Sequence, residues 1–136
     1  MAGGFTIYIF RKYVIMIKNF LLVGLGGAIG SMLRFGVALL VRNNSFPLAT
    51  FFVNTAGSLL IGIAFGLSQQ DERFAANWKL FIATGICGGF TTFSAFSAEN
   101  LQLMQQGKWI LCGTYILLSL IACIAATWLG YRLAHS

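Results

Sequence analysis

Four long apolar segments, separated by short polar connections, dominate the hydropathy pattern of this chain. They run from about residue 19 to 41, 48 to 68, 78 to 104 and 109 to 133. Each segment has roughly the 20 or more residues that a helix needs to cross the hydrocarbon core of a bilayer. Trp78 and Trp109 lie at segment ends, where indole rings favour the membrane interface. The pattern predicts an all-α integral membrane protein with four transmembrane helices.

The third segment contains a run that is poorly suited to a lipid-buried helix: Gly88-Gly89-Phe90-Thr91-Thr92-Phe93-Ser94-Ala95-Phe96-Ser97. Two adjacent glycines weaken a helix by roughly 1 kcal/mol each, and the Thr-Thr-Phe that follows adds β-branched and aromatic crowding. Irregular backbone at this depth is tolerated only where protein or a water-filled cavity satisfies the freed polar groups. We therefore expect a break at Gly88–Thr91 in the middle of the membrane. In transporters such breaks mark ion and substrate sites.

Composition supports the membrane assignment and excludes other classes. Hydrophobic residues make up 58% of the 136 positions and charged residues 9%, whereas a soluble domain has about 25% charged residues. The nine Lys and Arg are scattered between the apolar segments, which indicates interfacial anchors rather than a nucleic-acid surface. Acidic residues are Asp71, Glu72 and Glu99, and the single histidine is His135. No nucleophile and base are paired in the sequence, so we do not expect an enzyme.

The first 15 residues do not fit the four-segment pattern. Their apolar part is too short to span a bilayer, Arg11 and Lys12 interrupt it, and a signal-peptide cleavage site is lacking. We predict an N-terminal extension over residues 1–15, to which we assign no function. The four-helix domain is then expected to cover residues 16–136.

Glycines in the first two segments form faces of small residues. Gly26 and Gly30 are four residues apart, as are Gly62 and Gly66. This spacing allows helices to approach closely. Four helices of this size cannot enclose a wide pore, so we expect close packing within an oligomer.

Two polar residues lie inside apolar segments, where they are costly unless they face a cavity or a partner. For Arg34 the alternatives are an aqueous vestibule or structural hydrogen bonds at that depth, or snorkelling toward the end of the segment. For Asn54 they are an interhelical hydrogen bond or an amide donor on an anion path.

Polar side chains recur every four residues in the fourth segment, at Tyr115, Ser119, Cys123 and Thr127. This spacing places them on one helix face, where hydroxyl groups could serve a small anion. Alternatively, Ser and Thr bond back to the carbonyls of their own helix. Phe93 and Phe96 would project to one side if helix resumes after the break. Their positive ring edges suit an anion, although packing against lipid or core is the alternative.

Three motifs resemble those of one membrane-protein family. The run from Gly88 to Phe96 closely resembles the signature of the Fluc (CrcB-type) fluoride ion channels. The segments Gly26-Gly27-Ala28-Ile29-Gly30-Ser31, with Arg34-Phe35 after it, and Asn54-Thr55-Ala56-Gly57-Ser58 resemble that family's first- and second-helix motifs. The resemblance covers about residues 17–133. It implies an antiparallel, dual-topology homodimer in the bacterial inner membrane, with two pores that export fluoride passively.

The resemblance also implies roles for individual residues. It places Phe93, Phe96, Asn54, Ser94, Ser97, Tyr115, Ser119 and Thr127 along the anion path and Arg34 at its vestibule. It assigns the backbone carbonyls of Gly88 and Thr91 to a structural Na⁺ at the dimer interface. Ala95 departs from the family pattern, because threonine is frequent at that position. Cys123 is a second departure, because it belongs to the row of polar side chains on the fourth segment, here called the polar track, where a hydroxyl would be a better donor.

Alternative functions are weaker. A small four-helix multidrug-type cation exporter needs a carboxylate embedded in the membrane, but the first segment carries Arg34 and no acid. A purely structural membrane subunit would not need the break. The basic residues are uneven: Lys18, Arg73, Lys79 and Arg132 fall on the N-terminal side and Arg42 and Lys108 on the other. Inverted insertion therefore rests on the resemblance and not on the charge pattern.

Overall fold

The computed structural model describes residues 2–41, 46–69 and 77–135. Helix α1 is Ala2–Leu40 and α2 is Leu48–Ser68. The third span consists of a π-helical segment, Lys79–Cys87, a single turn α3, Gly88–Phe90, and helix α4, Phe93–Gln105; α5 is Trp109–His135. Within the described residues, four stretches are long and apolar enough to cross a membrane. This confirms the predicted all-helical, four-span membrane protein.

Helix α1 extends much further toward the N-terminus than expected. Its 39 residues form one continuous helix from Ala2, which at 1.5 Å per residue is about 58 Å long. Residue 16, where the four-helix domain was expected to begin, is not marked by any interruption of that helix. The described side chains before it are largely exposed, including Ile7 and Phe10. The role of residues 1–15 stays a prediction.

The helices pack as two pairs joined at the third span. Helices α2 and α5 contact each other along most of their length, and α1 packs against the π-helical segment and α3. The glycine faces lie at these contacts. A Cβ on Gly26 would meet the Phe81 carbonyl 2.5 Å away, and one on Gly62 would overlap the Thr127 carbonyl. The predicted close approach is therefore used within one subunit, so these glycines do not themselves argue for an oligomer.

A tight turn connects α4 to α5 and closes the small core at that end of the bundle. Gly107 has φ +71°, and the Lys108 N–H donates to the Leu103 carbonyl at 2.9 Å. This is the six-to-one hydrogen bond of a glycine-terminated helix. Leu103, Cys112 and Tyr115 form the buried cluster beneath it.

The structure locates the break at the C-terminal edge of the expected range Gly88–Thr91. Gly88 is helical, with φ −63° and ψ −35°. The chain leaves the helix at Thr91 and Thr92, whose ψ values are 154° and 114°, and becomes helical again at Phe93. The prediction of a broken third span is confirmed, but the break is at the threonines and not at the glycines.

Several residues of the charge argument lie outside the described part of the chain. These are Arg42, Asp71, Glu72 and Arg73. Two described basic residues near the ends of the spans contact aromatic rings: the Lys79 ammonium lies 4.9 Å from the Phe65 ring centroid and the Arg132 guanidinium 5.2 Å from that of Trp128. Such contacts suit side chains placed at a membrane interface.

Candidate functional site

Asn54 holds both backbone polar groups of Thr92, the residue at the centre of the break. The Thr92 N–H donates to Asn54 Oδ1 at 2.8 Å, and Asn54 Nδ2 donates to the Thr92 carbonyl at 3.2 Å. A side-chain amide carries one acceptor and two donors, so Asn54 supplies the acceptor that the Thr92 N–H lacks at the break, adds a donor to the Thr92 carbonyl and keeps one further N–H. Of the two alternatives for Asn54, the structure shows the interhelical hydrogen bond.

Helix α1 supports the other side of the break. Arg34 Nε donates to the Gly89 carbonyl at 3.2 Å, and Ser31 Oγ lies 3.5 Å from the same oxygen. Gly89 itself packs so closely on α1 that a Cβ there would overlap the Gly27 carbonyl. Arg34 is half-buried, and its guanidinium makes the structural hydrogen bond that was one of its alternatives. It therefore stabilises a carbonyl where α3 ends.

The two threonines of the break use their hydroxyls differently. Thr91 Oγ1 donates to the Cys87 carbonyl at 2.8 Å, one helical turn back. Thr92 Oγ1 accepts from the Ala95 N–H at 3.1 Å and so caps the N-terminus of α4. Ser94 Oγ lies 3.1 Å from the Thr92 hydroxyl. The second half of the third span therefore starts with an N-cap of the preferred residue class.

A partly open cavity of about 300 Å³ lies beside the break. Its walls come from α2, the break, α4 and α5: Asn54, Ser58, Ile61, Thr91, Thr92, Phe93, Phe96, Ser119, Leu120, Cys123 and Ile124. The Phe93 and Phe96 rings lie 5.7 Å apart between centroids, so both project to the same side of α4 as predicted. Phe93 lines the cavity and is 79% exposed. No Lys, Arg, Asp or Glu is among these lining residues.

Ser119 is the polar residue of the cavity whose hydroxyl is unsatisfied. Its Oγ is buried and has no hydrogen-bond partner among the described residues. Thr127, two turns further along α5, donates its hydroxyl to the Cys123 carbonyl at 3.0 Å and does not line the cavity. Both alternatives for the polar residues of α5 therefore occur: the Thr127 hydroxyl bonds a carbonyl of its own helix, and the Ser119 hydroxyl does not.

Tyr115 and Glu99 form a second polar cluster, which borders the cavity through Phe96. The Tyr115 ring is fully buried and lies 5.1 Å from that of Phe96. Its O–H donates to Glu99 Oε2 at 2.8 Å, and Thr50 Oγ1 donates to Glu99 Oε1 at 2.6 Å. Glu99 was not among the site residues expected from the sequence. Its position three residues after Phe96 was the available signal, since that spacing places both on one face of α4.

The remaining predicted site residues lie apart from the cavity. Ser97 is exposed, and like Ser94 it does not line the cavity. A Cβ on Gly88 would meet nothing within 4 Å in the described chain. Gly88 therefore needs neither a special backbone conformation nor extra space within the subunit.

Comparison with known proteins places this chain among close relatives. The family model described as CrcB-like protein, Camphor Resistance (CrcB), matches residues 21–131. A protein of Azobacteroides pseudotrichonymphae named fluoride-specific ion channel FluC is 51% identical over 88% of this chain and 98% of its own length. A protein of Flavobacterium psychrophilum with the same name is 42% identical over 86% of this chain and 97% of its own. Because the family model and these relatives cover nearly the whole four-span region, the chain belongs to the CrcB family.

Proposed function

We propose that this protein is a passive, fluoride-selective channel and that the anion passes through the cavity beside the break. The observation that carries this is Ser119, which lines the cavity together with Phe93 and Phe96 and whose buried hydroxyl has no hydrogen-bond partner among the described residues. An unsatisfied buried donor is costly, and an anion in the cavity would accept its hydrogen bond. The names of the relatives agree with this assignment.

The uncharged lining suits a small, strongly hydrated anion that must also leave quickly. Conduction requires that binding be favourable enough for entry and weak enough for release. Ser119 and the remaining Asn54 N–H are donors that replace water, and aromatic ring edges add a weak positive potential. A fixed Lys or Arg in this space would hold the anion more tightly. The N-terminus of α4, which begins at Phe93, contributes further positive potential.

The multidrug-type exporter is disfavoured by the surroundings of Glu99. Both of its carboxylate oxygens accept hydrogen bonds from hydroxyls, those of Thr50 and Tyr115. A carboxylate that exchanges protons for cationic drugs must be open to the drug. Glu99 instead ties α2, α4 and α5 together behind the cavity.

The working unit in this proposal is an antiparallel homodimer with dual topology. Phe93 is exposed, and the cavity that it lines is partly open, so one subunit does not enclose a path by itself. A second copy packed on this face would close the cavity and bury the ring. Single-molecule photobleaching of labelled protein in sparse liposomes should show two bleaching steps. A single step in liposomes that conduct fluoride would contradict the dimer.

A structural Na⁺ at the dimer axis is part of the same proposal. The Thr92 N–H, which would bond to the Gly88 carbonyl in an unbroken helix, bonds to Asn54 instead. The Gly88 carbonyl thus loses its helical donor, and the Thr91 carbonyl lies in extended backbone. Uncharged oxygens of this kind fit a hard cation, and the residues that would hold it are Gly88 and Thr91. When bound, the ion would offset the cost of these carbonyls at a depth without water.

The Na⁺ proposal is tested by stability and by flux. Thermal unfolding of the purified protein should occur at a lower temperature when Na⁺ is replaced by N-methylglucamine, and the effect should reverse on adding Na⁺. Equal stability in both, with normal conduction after exhaustive dialysis, would refute the ion.

The channel proposal is tested by fluoride efflux from liposomes, with chloride efflux measured in parallel. Wild-type protein should release fluoride and retain chloride. Phe93→Ile and Phe96→Ile keep an apolar volume but remove the polarised ring, so each should reduce fluoride efflux steeply. Liposomes that lose chloride as fast as fluoride would contradict selectivity. Unchanged efflux in both variants would place these rings outside the path.

A further inference from the structure

A groove, separate from the cavity beside the break, lies at the N-terminal end of the third span. It has a volume of about 380 Å³ and is lined by Lys18 and Leu22 of α1 and by Asn77, Trp78 and Phe81 of the third span. The Trp78 and Phe81 rings meet edge to face, with centroids 6.4 Å apart. None of these residues takes part in the cavity of the proposed anion path.

The groove lies at the depth of the lipid headgroups. Lys18 is 22 residues before Leu40, the last residue of α1, and this separation corresponds to about 33 Å of helix. The hydrocarbon core is about 30 Å thick, so Lys18 falls at one interface if Leu40 lies at the other. Trp78 precedes the third span and is half-exposed, as expected of an indole at that interface.

The chemistry of the groove changes from polar to apolar along this depth. Lys18 and Asn77, at its outer end, present a cation and an amide that can contact a phosphate. Leu22 follows Lys18 by one helical turn toward the membrane centre, and Phe81 follows Trp78 in the same way. Lys79, next to the groove, is directed to the Phe65 ring on α2, so Lys18 is the cation among the described residues that line the groove.

We propose that this groove binds one anionic phospholipid, with the phosphate at Lys18 and Asn77 and an acyl chain against Leu22 and Phe81. Charge complementarity favours this occupant, because the groove has a lysine at headgroup depth and no acidic side chain among its described lining residues. A basic side chain near the surface favours an anionic over a zwitterionic lipid by about fivefold.

Trp78 provides the reporter for a direct test. A variant with Trp109→Phe and Trp128→Phe keeps Trp78 as its sole indole, and both replaced residues are exposed outside the groove. This protein is reconstituted with brominated phosphatidylglycerol or brominated phosphatidylcholine, whose acyl chains quench indole fluorescence on contact. The quenching data should give a binding constant for phosphatidylglycerol that is about fivefold higher than that for phosphatidylcholine.

Matched lysine variants in the same background separate a site from general surface charge. Lys18→Gln should abolish the preference for phosphatidylglycerol, so that the two lipids bind about equally, and Lys18→Arg should retain the preference. Lys12→Gln, on the same helix but outside the groove, should leave it unchanged. Equal quenching by the two lipids, or a preference that persists in Lys18→Gln, would overturn the proposal. Absence of quenching by either lipid would show that protein, such as a second copy, covers the groove.

Discussion

Asn54→Ala should destabilise the protein by removing the support of the break. The substitution deletes two hydrogen bonds, of 2.8 and 3.2 Å, and leaves the Thr92 N–H without its acceptor. Side-chain hydrogen bonds between membrane helices contribute about 0.6 kcal/mol on average and up to about 1.7 kcal/mol. Two such bonds give an expected loss of about 1–3 kcal/mol, or roughly 5- to 150-fold in the ratio of folded to unfolded protein.

The neighbouring residue, Thr55, provides a matched control, because its substitution is not expected to destabilise the protein. Thr55 Oγ1 is buried and has no hydrogen-bond partner among the described residues. Thr55→Val replaces this hydroxyl by a methyl group of similar shape, so it should be neutral or stabilising. Both variants lie on α2, one residue apart, and differ in whether the deleted group is bonded.

The assay is reversible unfolding in mixed micelles with increasing dodecyl sulfate, followed by circular dichroism at helical wavelengths. Wild type, Asn54→Ala and Thr55→Val are compared at equal protein and lipid concentrations. An Asn54→Ala unfolding free energy within about 0.5 kcal/mol of wild type would refute the claim that Asn54 holds the break, since two bonds of average strength exceed that value. An equal loss in Thr55→Val would also refute it, because polar bonding would then not be the cause.

Three further predictions concern the cavity and the two ends of the break. Ser119→Ala should slow fluoride efflux about fivefold, because it removes an unbonded hydroxyl donor. Thr127→Val should leave the efflux unchanged, because the Thr127 hydroxyl bonds a carbonyl of its own helix. Equal effects of the two variants would contradict an anion path along Ser119. Gly88→Ala should leave the subunit fold intact, whereas Gly89→Ala should disrupt it, because of these two positions only Gly89 has neighbouring backbone where a Cβ would lie. The two variants are compared by their circular dichroism spectra and by their yield of folded protein. Arg34→Met should lower the unfolding free energy by about 1 kcal/mol by removing the hydrogen bond from Arg34 to the Gly89 carbonyl, and an unchanged value would contradict this role.

The break itself shows how far local reasoning reaches. Intrinsic propensity predicts weakness at Gly88 and Gly89, but both remain in a helical turn. Gly89 is required because α1 approaches its backbone closely, a contact that depends on the other helix. The helix does not continue through Thr92 because Asn54, 38 residues earlier in the chain, accepts the hydrogen bond of its N–H. The location of the break was therefore decided by partners remote in sequence.

The sequence by itself determined the four spans, the presence of a break in the third and the shared side of Phe93 and Phe96. These follow from hydrophobic length, glycine and threonine content and helical spacing, which are local properties of the chain. The tertiary structure alone decided which polar groups are satisfied. It bonds Asn54 and Arg34 to backbone at the break, pairs Glu99 with hydroxyls from α2 and α5, and leaves Ser119 free. Hydrogen bonding between helices depends on their packing, so residue type and spacing could propose these partners but could not choose among them.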